Sequence, residues 1–79
     1  GGARAPQVQS LRSFGQHIGL AFQLIDDVHD GEGLAQAMGA DAARAEARAL
    51  IGRAVKRLEP FGKRAELLRN LSTWLATTA

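Results

Sequence analysis

The sequence predicts an all-α protein, on three observations. Apolar residues recur at helical spacing in three stretches, with Gly and Pro set at the breaks between them. The composition is 46% hydrophobic with two prolines, which suits a folded helical chain rather than a disordered one. There is no cysteine, so a disulfide framework and a thiolate metal site are both excluded. A length of 79 residues allows one small domain with a marginal core. Small helical units of this kind are stabilised by oligomerising or by belonging to something larger.

The elements come in order. Residues 1–5 read as a linker, and Pro6 suits the first turn of a helix, where its missing N–H removes no bond. Val8, Leu11, Phe14, Ile18, Ala21, Ile25 and Val28 continue at helical spacing until Gly31-Glu32-Gly33 supplies a stop. The first helix is therefore expected over residues 6–30. Residues 34–38 can form a short helical turn that ends at Gly39. Asp41 is a credible N-cap for a second main helix over residues 41–58, with Ala43, Ala47, Leu50, Ile51, Ala54 and Leu58 on its apolar face. Pro60 and Gly62 break the chain again. A third main helix is expected over residues 63–77, with Leu67, Leu68, Leu71, Trp74 and Leu75 as a buried stripe and Trp74 as a core residue.

Charge is unevenly spread. Residues 1–50 carry four arginines against six acids, a balance of −2, and residues 51–79 carry six basic residues against two acids, or +4. The basic half lacks interleaved aromatics and any nucleic-acid-binding motif, so it reads as a solvated helix face and no nucleic-acid partner is expected. The apolar run around residues 18–25 is far shorter than the roughly 20 residues of a membrane span. No basic region followed by an apolar core marks a signal peptide at the N-terminus. These features, with the absence of cysteine, favour the cytoplasm. Because the chain does not begin with Met, it is expected to be cut from a longer one or to carry a processed end.

Residues 15–30 carry the most information. On a helix turning about 100° per residue, Gly15, Gly19, Phe22, Gln23, Asp26 and Asp30 share one sector of roughly 120°, with Asp27 just outside it. Ile18, Ala21, Leu24, Ile25 and Val28 cover most of the rest, which predicts an interior helix. Interior acids need a partner, and acids at a helix C-terminus oppose the macrodipole. Magnesium would answer them, as a hard ion that takes a few carboxylates and keeps positions for water or diphosphate oxygens. The two glycines each weaken a helix by about 1 kcal/mol relative to Ala, so close approach by something bulky is expected on their face. His17 falls on the opposite side from Asp26 and reads as a surface or hydrogen-bonded histidine. His29 stands beside the acids and could modulate them electrostatically.

The string Gly19-Leu20-Ala21-Phe22-Gln23-Leu24-Ile25-Asp26-Asp27-Val28-His29-Asp30 resembles the second aspartate-rich motif of the trans-isoprenyl diphosphate synthases (polyprenyl synthetases). The Phe-Gln pair followed by Asp-Asp-x-x-Asp, with small residues upstream, is that family's hallmark. The resemblance runs on through Gly39-Ala40-Asp41-Ala42-Ala43-Arg44 and Leu58-Glu59-Pro60-Phe61-Gly62 to the leucines of residues 67–75. It implies that residues 1–79 are a C-terminal fragment of a single helical domain, the last helices of an isoprenoid synthase bundle. The family's enzymes are magnesium-dependent prenyltransferases, usually homodimers. They condense isopentenyl diphosphate with an allylic prenyl diphosphate into geranyl, farnesyl, geranylgeranyl or longer chains.

By the same resemblance, Asp26 ligates magnesium on the allylic diphosphate directly, and Asp27 and Asp30 act through water or a further ion. Gln23 orders that water and the substrate head, as a catalytic and substrate-binding residue, and Phe22 sits near isopentenyl diphosphate. The reaction implied is ionisation of the allylic carbon–oxygen bond, with metal charge stabilising the departing diphosphate.

Two departures from the family pattern matter. Its first aspartate-rich motif lies far upstream and has no counterpart here. Its lysine-bearing loop after the second motif is also missing, since no lysine precedes Lys56. This segment alone is therefore expected to be inactive, supplying one wall of a site completed by the rest of the synthase chain. The alternative is a non-catalytic helical homologue or subunit that dimerises with an active synthase.

Overall fold

The computed structural model describes residues 5–79. It comprises α1 (Ala5–Asp30), α2 (Gly33–Met38), α3 (Ala40–Lys56), a 3₁₀ segment (Glu59–Ala65) and α4 (Glu66–Thr78), with no strand among the described residues. The all-α expectation is met. Residues 1–4 of the expected linker lie outside the described residues, and Ala5 already belongs to α1.

With 26 residues, α1 is about 39 Å long at 1.5 Å per residue, and it sets the 42 Å long axis of the molecule. Its stop is built as the sequence predicts. Gly31 takes a left-handed φ of 66°, the Glu32 N–H donates to the Asp27 carbonyl at 3.0 Å and the Gly31 N–H to the Val28 carbonyl at 3.3 Å. These are the two crossed bonds of a Schellman termination, which satisfies the last carbonyls and fixes Asp30 at the helix end.

From there α2 bridges into α3, which doubles back along α1. Alanines make this packing close: Ala21, Ala43 and Ala47 are fully buried, beside Leu24, Ile25, Leu50 and Ile51, and Ala35 of α2 closes one end. Every apolar residue expected on the second main helix's face is buried, namely Ala43, Ala47, Leu50, Ile51, Ala54 and Leu58.

Five expectations need correction. Asp41 is not the N-cap of α3. Gly39, at φ 93°, fills that place, and its carbonyl accepts the Ala43 N–H at 3.0 Å. A positive φ lets the chain turn straight from α2 into α3, so the helix starts at Ala40 and Asp41 falls in its first turn, bonded to Arg44 at 3.3 Å. At the other end, α3 closes at Lys56 rather than at residue 58.

The third main helix does not start at residue 63. Residues 59–65 form the 3₁₀ segment, kinked at Gly62 (φ 56°, ψ −132°), and α4 proper begins at Glu66. Pro60 removes a donor from any continued α-helical ladder, and only Gly adopts the Gly62 conformation without strain. Arg69 then holds the kink, donating to the Gly62 carbonyl at 2.6 Å and the Leu58 carbonyl at 3.1 Å.

The expected stripe on that last helix is not buried as a unit. Trp74 is 64% exposed, Leu71 53% and Leu67 69%. The helix is rotated so that Leu68, Ser72 and Leu75 face inward, and the buried Ser72 hydroxyl is satisfied by the Leu68 carbonyl at 2.7 Å. Nor is α1 an interior helix, since Leu20 is 55% and Phe22 60% exposed. One helix, α3, covers its inner face, and the short α4 cannot reach around the rest.

Candidate functional site

The aspartate-rich end of α1 is where α1, α2 and α3 meet. Gln23 and Asp27, one turn apart, line one groove together with residues of α3, and Asp26 and Asp30, also one turn apart, are exposed outside it. The termination at Gly31 splits the three acids between two environments.

Asp27 is half-buried, whereas Asp26 and Asp30 are exposed. Its carboxylate packs over Gly33, the first residue of α2: a Cβ on Gly33 would lie 2.6 Å from Asp27 Oδ2. Gly33 itself has a φ of 61°. Glycine is required there twice, by its backbone and by the acid above it. The carboxylate also lies at the positive end of α2, which favours a negative charge. This gives Asp27 a packing role that sequence reasoning did not foresee.

On the α3 side, Gln23 and Asp27 line an open groove of about 380 Å³ with Leu20, Leu24, Leu50 and Glu46. Glu46 escaped the sequence reading because only the return of α3 along α1 brings it opposite Asp27. It stands 3.8 Å from Arg53. The groove has an apolar floor and a rim of one amide and two carboxylates, a donor set of hard oxygens.

Among the described residues, no three Asp, Glu or His side chains stand close enough together to hold one metal ion. Magnesium commonly takes one or two carboxylates and fills its remaining positions with water and phosphate oxygens. Asp26 and Asp30, one turn apart on the exposed edge, fit that smaller demand, with Asp27 turned away to Gly33.

Phe22 is on the outer side of α1. With Phe14, Ile18, Leu68, Leu71, Ser72, Trp74 and Leu75 it lines a second, apolar groove of about 260 Å³ between α1 and α4. The structure therefore separates Phe22 from Asp27, while Gln23 and Asp27 share one groove. Gly15 and Gly19 have nothing within 4 Å of where a Cβ would sit, so no element among the described residues makes the close approach expected there.

His17 falls as the sequence suggests. His17 is half-buried and donates from Nδ1 to the Ser13 carbonyl at 2.7 Å. His29 is exposed at the end of α1. No helix among the described residues is long and apolar enough to cross a membrane.

The fold and site define a small unit of packed helices with an acidic α1 terminus. No protein-family model, curated protein or solved structure matches the chain.

Proposed function

We propose that the chain is the C-terminal part of a magnesium-dependent prenyltransferase of the trans-isoprenyl diphosphate synthase class, and that α1 supplies its second diphosphate-binding wall. The observation that carries this reading is the string Phe22-Gln23-x-x-Asp26-Asp27-x-x-Asp30 at the carboxyl end of a long helix. Asp26 and Asp30 stand exposed on one edge of that end.

In this reading, Asp26 and Asp30 are the carboxylates offered to the metal, and Gln23 lies one turn before Asp26 to hold water or the substrate head. Asp27, seated over Gly33, fixes the end of α1 relative to α2 and so aims the other two. Bound magnesium would neutralise diphosphate charge as the allylic carbon–oxygen bond opens. Isopentenyl diphosphate and an allylic diphosphate are the substrates proposed, and the remainder of the site comes from further helices of a synthase-length chain, as a homodimer.

The test is turnover of the intact protein with magnesium, isopentenyl diphosphate and a series of allylic diphosphates. Asp26→Ala is expected to lower turnover by orders of magnitude while circular dichroism stays unchanged. Near-normal turnover of that variant, or no condensation by the wild type with any allylic substrate, overturns the reading.

A further inference from the structure

Two basic pairs stand close together in the chain, Lys56-Arg57 where α3 ends and Lys63-Arg64 in the 3₁₀ segment just before α4. All four side chains are exposed, and none of them makes an ion pair among the described residues. Along the sequence they read as solvated turns, but the fold joins them. The Arg69 guanidinium donates to both the Leu58 and the Gly62 carbonyls, so the residues next to each pair are drawn to one point. The four cations thereby gather at one end of the molecule, with Glu59 as the single acid between them.

The exposed apolar stripe of α4 starts at the same place. Leu67 follows Arg64 by three residues, and Leu71 and Trp74 continue it at spacings of four and three, which keeps the three in line along one side of the helix.

From this juxtaposition we infer that the basic end of the molecule docks on the surface of an anionic lipid bilayer. Lys56, Arg57, Lys63 and Arg64 meet the headgroups, and Leu67, Leu71 and Trp74 enter the boundary between headgroups and acyl chains. The chain lies on the bilayer rather than across it, since no helix among the described residues is long and apolar enough to span one. The inference is independent of the synthase reading.

Charge selects this occupant. Asp27 lies beside Gly39 and Ala40 at the start of α3, and the basic pairs lie at its other end, about 25 Å away along 17 residues. That distance is about three Debye lengths at physiological salt, so a negative surface is attracted at the basic end and scarcely feels the acids of α1. A further protein helix laid over Leu67, Leu71 and Trp74 would cover the stripe and leave the four cations without a counter-charge. An anionic bilayer answers both. Nucleic acid would answer only the charge, because the aliphatic Leu67 and Leu71 beside the cations give bases nothing to stack on. Leucine and tryptophan flanked by lysine and arginine are the residues that seat a helix in a membrane interface.

The test is cosedimentation of the intact protein, and of the 79-residue chain beside it, with vesicles of phosphatidylcholine alone or with added phosphatidylserine. Binding to the phosphatidylserine vesicles is expected for both, falling as salt is raised, with a blue shift of the emission of Trp74, the sole tryptophan of the chain. Each cation near an anionic surface contributes about fivefold to partitioning, so Lys63→Gln with Arg64→Gln is expected to weaken binding by roughly twentyfold. Leu67→Ser, at a side chain 69% exposed, should weaken it by about tenfold with circular dichroism unchanged. Arg44→Gln, which removes a charge from the other end of α3, should change it by less than about twofold. Absence of vesicle binding overturns the proposal, and so does equal binding to phosphatidylcholine alone. Tighter binding to single- or double-stranded nucleic acid than to the vesicles overturns it in favour of a nucleic-acid site. Binding by the 79-residue chain that the intact protein does not share overturns it as well, because further helices then cover the face.

Discussion

Both faces of α1 carry apolar residues in sequence, and they differ sharply in structure. Toward α3, Ala21, Leu24 and Ile25 meet Ala43, Ala47, Leu50 and Ile51, and all are buried. Toward α4, Phe22 stays more than half exposed, as do Leu67, Leu71 and Trp74. The difference lies in side-chain size and in the segment that leads into each covering helix. Alanines let α3 settle close along α1, while the kinked 3₁₀ segment delivers α4 at an angle that brings Leu68, Ser72, Leu75 and Ala76 inward and leaves Leu67, Leu71 and Trp74 exposed. Apolar periodicity states that a face wants cover; it does not say that the same chain supplies it.

The sharpest way to break this comparison is a cavity on the closed side. Ile51→Ala removes a side chain that is 4% exposed and is expected to destabilise the fold by about 2–5 kcal/mol, read by urea unfolding monitored by circular dichroism. A loss under about 1 kcal/mol would mean that the α1/α3 seam is not the core.

A smaller effect tests the junction that holds the acids. Gly33→Ala meets both the φ of 61° and the Asp27 carboxylate, and is expected to cost about 1–3 kcal/mol. Combining it with Asp27→Ala should recover part of that loss, because the two positions touch and their effects are not additive. Strict additivity in the double-mutant cycle would dissociate Asp27 from the α1/α2 turn.

The smallest effect belongs to the open side. Leu71→Ala, at a side chain 53% exposed, should change stability by no more than about 0.5 kcal/mol. A loss as large as that of Ile51→Ala would show Leu71 to be a core residue of the single chain.

Much of the fold was legible in residue spacing. The alanine face of α3, the short helix before Gly39 and the Gly31-Glu32-Gly33 stop all arise from local rules of periodicity and capping. Gly39 as the cap of α3 was less so, because a glycine two residues before Asp41 reads as a helix stop until the direction of the next helix is known. Trp74 was misplaced for a related reason. A tryptophan among leucines at helical spacing is equally consistent with a core and with an exposed face, and only the rotation of α4, which leaves Trp74 64% exposed, separates the two.

At the acidic end of α1, the sequence alone determined that Gln23, Asp26 and Asp30 share one sector with Asp27 just outside it, because a helix turns about 100° per residue whatever surrounds it. Only the tertiary structure decided what each side meets. The turn at Gly31 carries the chain back so that Asp27 lies over Gly33 and Glu46 comes opposite it across the groove. Asp26 and Asp30 are left to solvent. Contacts of that kind depend on where distant segments return, and no local pattern along the chain encodes that.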